Sequence, residues 1–319
     1  MNYGQLIRDA WAITWRSRFL WVLGLLAGGA VGMPALRGSG ANWRPSRGEL
    51  DNLQPGLGRL AGDVEAWVLA NLGLVIGAAV VVVLLGVAVL ALSFVAQGGL
   101  SRATADLAEG RPTSFGRAWS AGRRLFWRYV GLAALLALAT LAVAAVIGGV
   151  VSLAFGLGEA FGPRLVTIAL AIVIGVPLVL AAAVGAVGAS IVVAYAQRAI
   201  AIENVGPLAA LAIGWRVLRS HLGESLLVWV INLGIALAAG TALAVGVGLL
   251  VAVLGGLGAL LWWLAGLGAA LVGYAAVAVL AVVAIGLVLA AISNTFFWSY
   301  WTLAYLRLTH AAGAEPAAA

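Results

Sequence analysis

Cysteine and lysine are both missing from this 319-residue chain. Without cysteine there is no disulfide, no thiol nucleophile and no cysteine-ligated metal. All 18 basic residues are arginines, which we attribute to base composition or a thermal habitat. Charged residues make up only 9% of the chain and hydrophobic residues 64%, whereas soluble domains average about 25% charged. This composition excludes an ordinary water-soluble domain.

Long stretches of the chain carry no charged side chain. The longest covers 82 residues, from position 225 to position 306. A transmembrane helix needs about 20 apolar residues to cross roughly 30 Å of hydrocarbon. Four more uncharged stretches precede the long one, at 19–36, 66–101, 129–158 and 165–197. The chain is therefore predicted to be an all-α, polytopic membrane helical bundle.

Three segments of the sequence resemble one another. Each places a small residue directly before a tryptophan, then arginines, then a long apolar run, at Ala10-Trp11, Ala118-Trp119 and Gly214-Trp215. The tryptophans are 108 and 96 positions apart, which predicts repeats of about 1–108, 109–205 and 206–310. Amphipathic helices with basic polar faces lie in the headgroup plane, so each segment is predicted to be an interfacial helix; the alternative is a cytoplasmic helix covering the bundle ends.

Each repeat has room for two spans after its interfacial helix. We therefore predict six transmembrane helices, arranged as three helical hairpins of parallel topology and related by a pseudo-threefold axis along the membrane normal. Glycine-rich breaks are expected at 156–158, with Pro163 beyond, and at 255–258. The stretch 225–306 has the length for two or three crossings, and the placement of its aromatic residues favours two.

Arginine counts give an orientation. With six spans, 13 arginines lie on the side of both termini and five on the other side. Because positive residues concentrate in the cytoplasm, both termini are predicted to be cytoplasmic, in the inner membrane of a bacterium. Residues 1–310 form one membrane domain with an outer loop at 37–65, and the tail 311–319 is predicted to be disordered.

The predicted spans hold almost no reactive chemistry. Ionisable residues within a membrane mark proton or ion pathways, and none lies between the predicted interfaces. Both histidines, His221 and His310, lie outside the spans. We therefore expect no enzyme activity, no cofactor and no metal. Glu203 and Glu224 fall near several arginines, where ion pairing is the simpler expectation and a phosphate-reading site the alternative.

Two sets of residues are candidate functional positions. Tryptophan rings favour the membrane interface, and arginines reach lipid phosphates. The predicted headgroup contacts are Trp11, Arg16, Arg18, Trp119, Arg123, Arg124, Arg128, Trp215, Arg216 and Arg219. Glycines four residues apart let membrane helices approach closely. The predicted packing positions are Gly24, Gly28, Gly32, Gly73 and Gly77.

The tryptophan–arginine segments and the closing SYWTLAYLRL resemble uncharacterised bacterial six-span proteins, which are similar to the membrane domain of some glycerophosphodiester phosphodiesterases. The chain has no soluble phosphodiesterase domain, so the resemblance implies a fold and no activity. Three functions stay open. The first is a non-enzymatic scaffold or accessory subunit, with a membrane-protein partner or a second copy. The second is a lipid-handling protein that contacts anionic headgroups at the cytoplasmic face. The third is a transporter of a neutral solute. No nucleic-acid partner is expected.

Overall fold

The computed structural model describes residues 2–28, 64, 66–161, 164–266 and 268–313, and the regular structure of these residues is helical throughout, without a strand. This confirms the predicted all-α class. The helices are α1 (Tyr3–Arg16), α2 (Phe19–Gly28), α3 (Leu72–Ala108), α4 (Phe115–Phe161), α5 (Arg164–Glu203), α6 (Pro207–Ser220), α7 (Leu222–Ala265) and α8 (Ala269–Gly313).

Five of these helices, α3, α4, α5, α7 and α8, are long and apolar enough to cross a membrane. The protein is therefore a multi-pass helical membrane protein. The apolar helix α2 covers only part of the predicted first span, because residues 29–36 lie outside the described residues, as does almost all of the predicted outer loop. At 47 residues α4 is roughly 70 Å long, so it must extend well beyond the hydrocarbon.

Two predicted helix breaks are wrong. Residues 156–158 lie inside α4, and residues 255–258 lie inside α7. A glycine within a helix costs about 1 kcal/mol, whereas an unpaired backbone group in lipid costs several, so the helix continues through glycine. α4 ends at Phe161, just before Pro163, and α7 ends where Gly266 takes a φ of 70°. The long uncharged run forms two helices in the described residues, as its aromatic placement predicts.

The interfacial helices differ among the three segments. α1 and α6 are separate helices, ending beside Ser17 and His221. The second segment runs without interruption into its span as part of α4, so the expectation of a separate helix there is wrong. Leu125 occupies the position that aligns with Ser17 and His221, and it is buried. A buried leucine favours helix continuation where a polar residue ends it.

Among the described residues the helices pack most extensively near the ends that carry the chain termini, which we call the packed end. Here α3, α5 and α8 contact one another, while α1 packs on α8, α4 on α3 and α6 on α5. Small residues allow this approach: a Cβ at Gly99 would lie 2.5 Å from the Ala118 carbonyl oxygen, and one at Gly214 would lie 2.6 Å from that of Val192. Most of the remaining halves of the long helices is exposed, although the Tyr274 hydroxyl of α8 donates to the Leu254 carbonyl oxygen of α7 at 2.6 Å. The packed end therefore holds the candidate site.

Candidate functional site

The tryptophans predicted to reach the membrane interface lie next to residues that anchor their helices. Ala10 and Ala118 are buried, and so is Gly214. The side chains of Trp11 and Trp215 are 52% and 57% exposed, so they are free to contact lipid. Trp119 is only partly buried and stacks on Phe115, with ring centroids 5.8 Å apart. In the first and third segments a small residue thus faces the bundle beside an exposed tryptophan ring, whereas Trp119 packs partly against the core.

The predicted headgroup arginines divide into an exposed group and one engaged residue. Six of them are exposed, namely Arg16, Arg18, Arg123, Arg124, Arg216 and Arg219. Arg128 instead donates to the backbone oxygen and the side-chain Oδ1 of Asn204. Its guanidinium therefore has a partner within the protein, whereas the six exposed arginines are available to an anionic surface.

The predicted packing glycines fall into two groups, those in contact with another helix and those with open space beside them. A Cβ at Gly24 would lie 2.7 Å from the Ala291 carbonyl oxygen, and one at Gly28 would collide with the Asn294 side chain, so α2 lies directly on α8 at both glycines. Gly73 and Gly77 have no described atom within 4 Å of the position that a Cβ would take. Gly32 lies outside the described residues. The second pair thus presents an open surface.

At the centre of the packed end, one cation is buried where α3, α5 and α8 meet. Arg198 on α5 is 3% exposed. Its Nη1 donates to the Ala194 carbonyl oxygen at 2.9 Å and to Gln197 Oε1 at 3.0 Å, and its guanidinium carbon lies 4.3 Å from the ring centre of Trp298. No ion pair to Arg198 occurs among the described residues. We call Arg198, Gln197, Tyr129, Ser101 and Trp298 the central junction.

Side chains from three helices form hydrogen bonds with the end of α5 and the turn that follows it. Arg102 of α3 donates to the Ile202 carbonyl oxygen at 3.2 Å, Arg128 of α4 donates to Asn204, and the Tyr305 hydroxyl of α8 donates to Glu203. Asn204 takes a φ of 58°, which asparagine tolerates better than most residues. Glu203 thus has a tyrosine partner, and no ion pair joins it to a described arginine, contrary to the simpler sequence-based expectation.

The turn between α3 and α4 is held by charge. Arg111 forms ion pairs with Asp106, at 2.6 Å, and with Glu109. The hydrogen bond to Asp106 raises the pKa of Arg111 above its usual value. At the other face of the packed end, burial and the nearby Glu224 carboxylate raise the pKa of Tyr3.

An open groove of about 620 Å³ lies between α1 and the last turns of α3 and α8. Its apolar lining includes Ile13, Leu107 and Leu303, and Arg307 at its rim pairs with Asp9. In the described residues no group of three or more acidic or histidine side chains is placed to hold a metal ion.

The burial of Arg198 was not anticipated from the sequence, which places it with the arginines of the cytoplasmic face. A signal was present. Ala194, Ala199 and Ala201 lie close to Arg198 along its helix, and in the predicted repeat Arg198 aligns with Gly98. Small residues around a position are typical of close helix packing.

Residues 13–312 match one protein family, the "Family of unknown function (DUF7544)". No curated protein and no solved structure matches the chain. The family description names no phosphodiesterase, so the resemblance to phosphodiesterase membrane domains stays a prediction.

Proposed function

The chain belongs to this family of unknown function, DUF7544. We propose that it is a non-enzymatic accessory subunit that docks another membrane protein. The observation that carries the proposal is the contrast between the two halves of the long helices. Side chains near the termini are buried, whereas Val82, Val184 and Val279 in the far halves are 67%, 74% and 61% exposed. Surfaces of this kind suit contact with helices of a partner.

The most specific docking surface is the glycine face of α3. Gly73 and Gly77 lie one turn apart with open space above both. In a membrane, helices associate by close packing over small residues, because lipid supplies no hydrophobic drive between them. We therefore expect a transmembrane helix of the partner to lie on this face.

The proposed architecture of this subunit is the threefold repeat of hairpins, with six spans and cytoplasmic termini in a bacterial inner membrane. Support comes from the mutual contacts of α3, α5 and α8 and from the way each tryptophan-bearing segment packs on one of these three helices. Gln97 and Gln197 also fall at the same packed end, where Arg102 bonds Ile202. In this threefold arrangement the three hairpins would present apolar surfaces outward.

The test is site-specific photo-crosslinking from Val81, one turn beyond Gly77 on the same face. In the native membrane we expect a crosslink to a second membrane protein, identified by mass spectrometry. The substitutions Gly73→Leu and Gly77→Leu together abolish it, because the added side chains hold the partner helix away. The matched control, Ala79→Leu with Val82→Leu, adds bulk to the opposite side of α3 and leaves the crosslink intact.

Two other outcomes count against an accessory role. Crosslinks only between copies of this chain would indicate a homo-oligomer. Crosslinks only to lipid, together with a retained phospholipid in the purified protein, would favour the lipid-handling function, which the six exposed arginines and the exposed tryptophans support.

A further inference from the structure

The groove between α1 and the last turns of α3 and α8 has an apolar interior. Leu303 and Leu306 of α8 line it and are buried, with 5% and 7% of their surface exposed. Ile13 of α1 and Leu107 of α3 line it as half-buried side chains, and Ala108 in the same lining is exposed. The interior therefore suits apolar side chains rather than a hydrated ion.

The charged residues of the groove leave one cation for a ligand. Asp9 pairs with Arg307, and Glu109 pairs with Arg111. Arg16 also lines the groove, is exposed, and forms no ion pair with a described residue. A ligand that matches this pattern brings an acidic group to Arg16 and apolar groups to the interior.

The exposed part of α3 shows how far the groove lies from the lipid. This part runs from Leu72 to Leu92, which are 20 residues or about 30 Å apart, and the hydrocarbon is about 30 Å thick. Leu107 lies 15 residues beyond Leu92, about 22 Å farther along the helix. The headgroups add only about 5–8 Å on each side. The groove therefore opens to water on the side of the termini, beyond the reach of a lipid within the bilayer.

The length of the groove matches two turns of a helix. α1 lines it from Asp9 to Ser17, about 12 Å along the helix axis. An amphipathic helix binds in a groove through side chains at positions i, i+3 or i+4, and i+7, which together cover about 10 Å. A second copy of this chain is a poor occupant, because each copy carries a net charge of +7 and like charges across an interface oppose binding. An acidic partner is favoured for the same reason.

We propose that this groove binds an acidic amphipathic helix from the water-soluble part of another protein. An aspartate or glutamate of that helix pairs with Arg16, and its apolar side chains lie against Ile13 and Leu107. A soluble protein meets these requirements as well as a membrane protein does, so the inference does not rest on the glycine face of α3.

The test is photo-crosslinking in intact membranes of the native host, with a photoreactive residue in place of Ala108 in the full-length chain. The crosslinked peptide is identified by mass spectrometry. We expect a segment of a different protein, with apolar residues three and four positions apart and an acidic residue among them. Capture of a protein is not sufficient support, so charge variants follow.

Two exposed arginines at the end of α1 provide a matched pair. Arg16→Glu should lower the crosslink yield roughly tenfold, because it brings like charges together. Arg18→Glu should leave the yield unchanged, since Arg18 is exposed and does not line the groove. Changing the acidic residue of the crosslinked segment to arginine should restore the yield in Arg16→Glu. Melting temperatures of both variants show that they fold; if Arg16→Glu does not, Arg16→Gln replaces it with the same expectation of a lower yield.

Several outcomes overturn the proposal. These are no adduct at position 108, adducts only with lipid, with a second copy or within the same chain, an equal loss of yield in both arginine variants, and no recovery after the charge exchange. The glycine variants that abolish the crosslink at Val81 should leave the adduct at position 108 intact, so failure of one proposal is distinguishable from failure of the other.

Discussion

Single residues at helix crossings decide whether the packed end forms. Gly122 on α4 is buried, and a Cβ there would collide with the Val95 carbonyl oxygen of α3. That oxygen belongs to the backbone of a helix and cannot rotate aside as a side chain does. Gly148, farther along α4, has no described atom within 4 Å of its Cβ position. The same residue type therefore has opposite roles in the two halves of one helix.

We predict that Gly122→Ala lowers the free energy of unfolding by about 1–3 kcal/mol, the usual cost of forcing extra volume into a packed core. Gly148→Ala should leave stability unchanged or raise it by up to about 1 kcal/mol, because alanine is the better helix former. Thermal unfolding of both variants in the same detergent checks this. Equal melting temperatures would mean that α3 and α4 are not in contact at this crossing.

The sequence predicts some residue roles well and others poorly. Helical periodicity and glycine spacing correctly anticipate helices at Gly24 and Gly28, but spacing alone does not say which glycine has a neighbour. Gly73 and Gly77 have the same four-residue interval and face open space. Arg198 is comparable, since its burial depends on where α3 and α8 fall. Contacts between distant segments are what a single sequence does not specify.

At the scale of elements, hydrogen bonds from α3, α4 and α8 converge where α5 ends and the turn to α6 begins. Donors from α3, α4 and α8 reach the last two residues of α5, Ile202 and Glu203, and the first residue of the turn, Asn204. Arg128 contributes two of these bonds, both to Asn204, whereas its neighbour Arg124 on α4 is exposed. The stability of the turn should therefore depend on Arg128 and not on Arg124.

Arg128→Gln is expected to destabilise the turn by about 1.5–3 kcal/mol, the range for hydrogen bonds to charged groups. Arg124→Gln should stay within about 0.5 kcal/mol of the parent, as exposed substitutions usually do. Limited proteolysis of the purified protein, with the cut sites read by mass spectrometry, measures this locally. A cleavage rate near Asn204 that is equal in both variants would contradict the role given to Arg128.

Helix boundaries were harder to predict than helix existence. Every long apolar run forms a helix over its described residues, because the length and hydropathy of a run are enough to predict a helix. The glycine runs at 156–158 and 255–258 lie inside their helices. In lipid an unpaired backbone group costs more free energy than a glycine within a helix does, so the helix continues. The second interfacial segment continues into its span because the buried Leu125 stands where Ser17 and His221 end the other two helices.

For the whole molecule, the proposed topology places the two kinds of turn on opposite sides of the membrane. Gly110 follows α3 at the packed end, and Gly268 precedes α8 at the far end. Because the chain has no native cysteine, a single introduced thiol reports its own position without background. Both glycines lie outside the helices, so cysteine at either site leaves the spans intact.

We expect Gly268→Cys to react with a membrane-impermeant maleimide in intact cells. Gly110→Cys should react only after the membrane is permeabilised, because positive-inside orientation places the packed end in the cytoplasm. The degree of labelling, measured by mass shift on a gel, gives the answer. Labelling of both positions in intact cells would overturn the six-span arrangement, and the reversed pattern would invert the orientation.

The division of each long helix into a packed half and an exposed half has a consequence for how the sequence can change over evolutionary time. In the exposed half, outside the proposed docking face at Gly73 and Gly77, one apolar side chain replaces another at little cost, since lipid adapts to any shape. In the packed half, positions such as Gly99 on α3 and Gly122 on α4 set a size limit that backbone atoms enforce. Substitutions should therefore accumulate at very different rates along one continuous helix, with the boundary near residue 92 in α3, 132 in α4, 190 in α5 and 290 in α8.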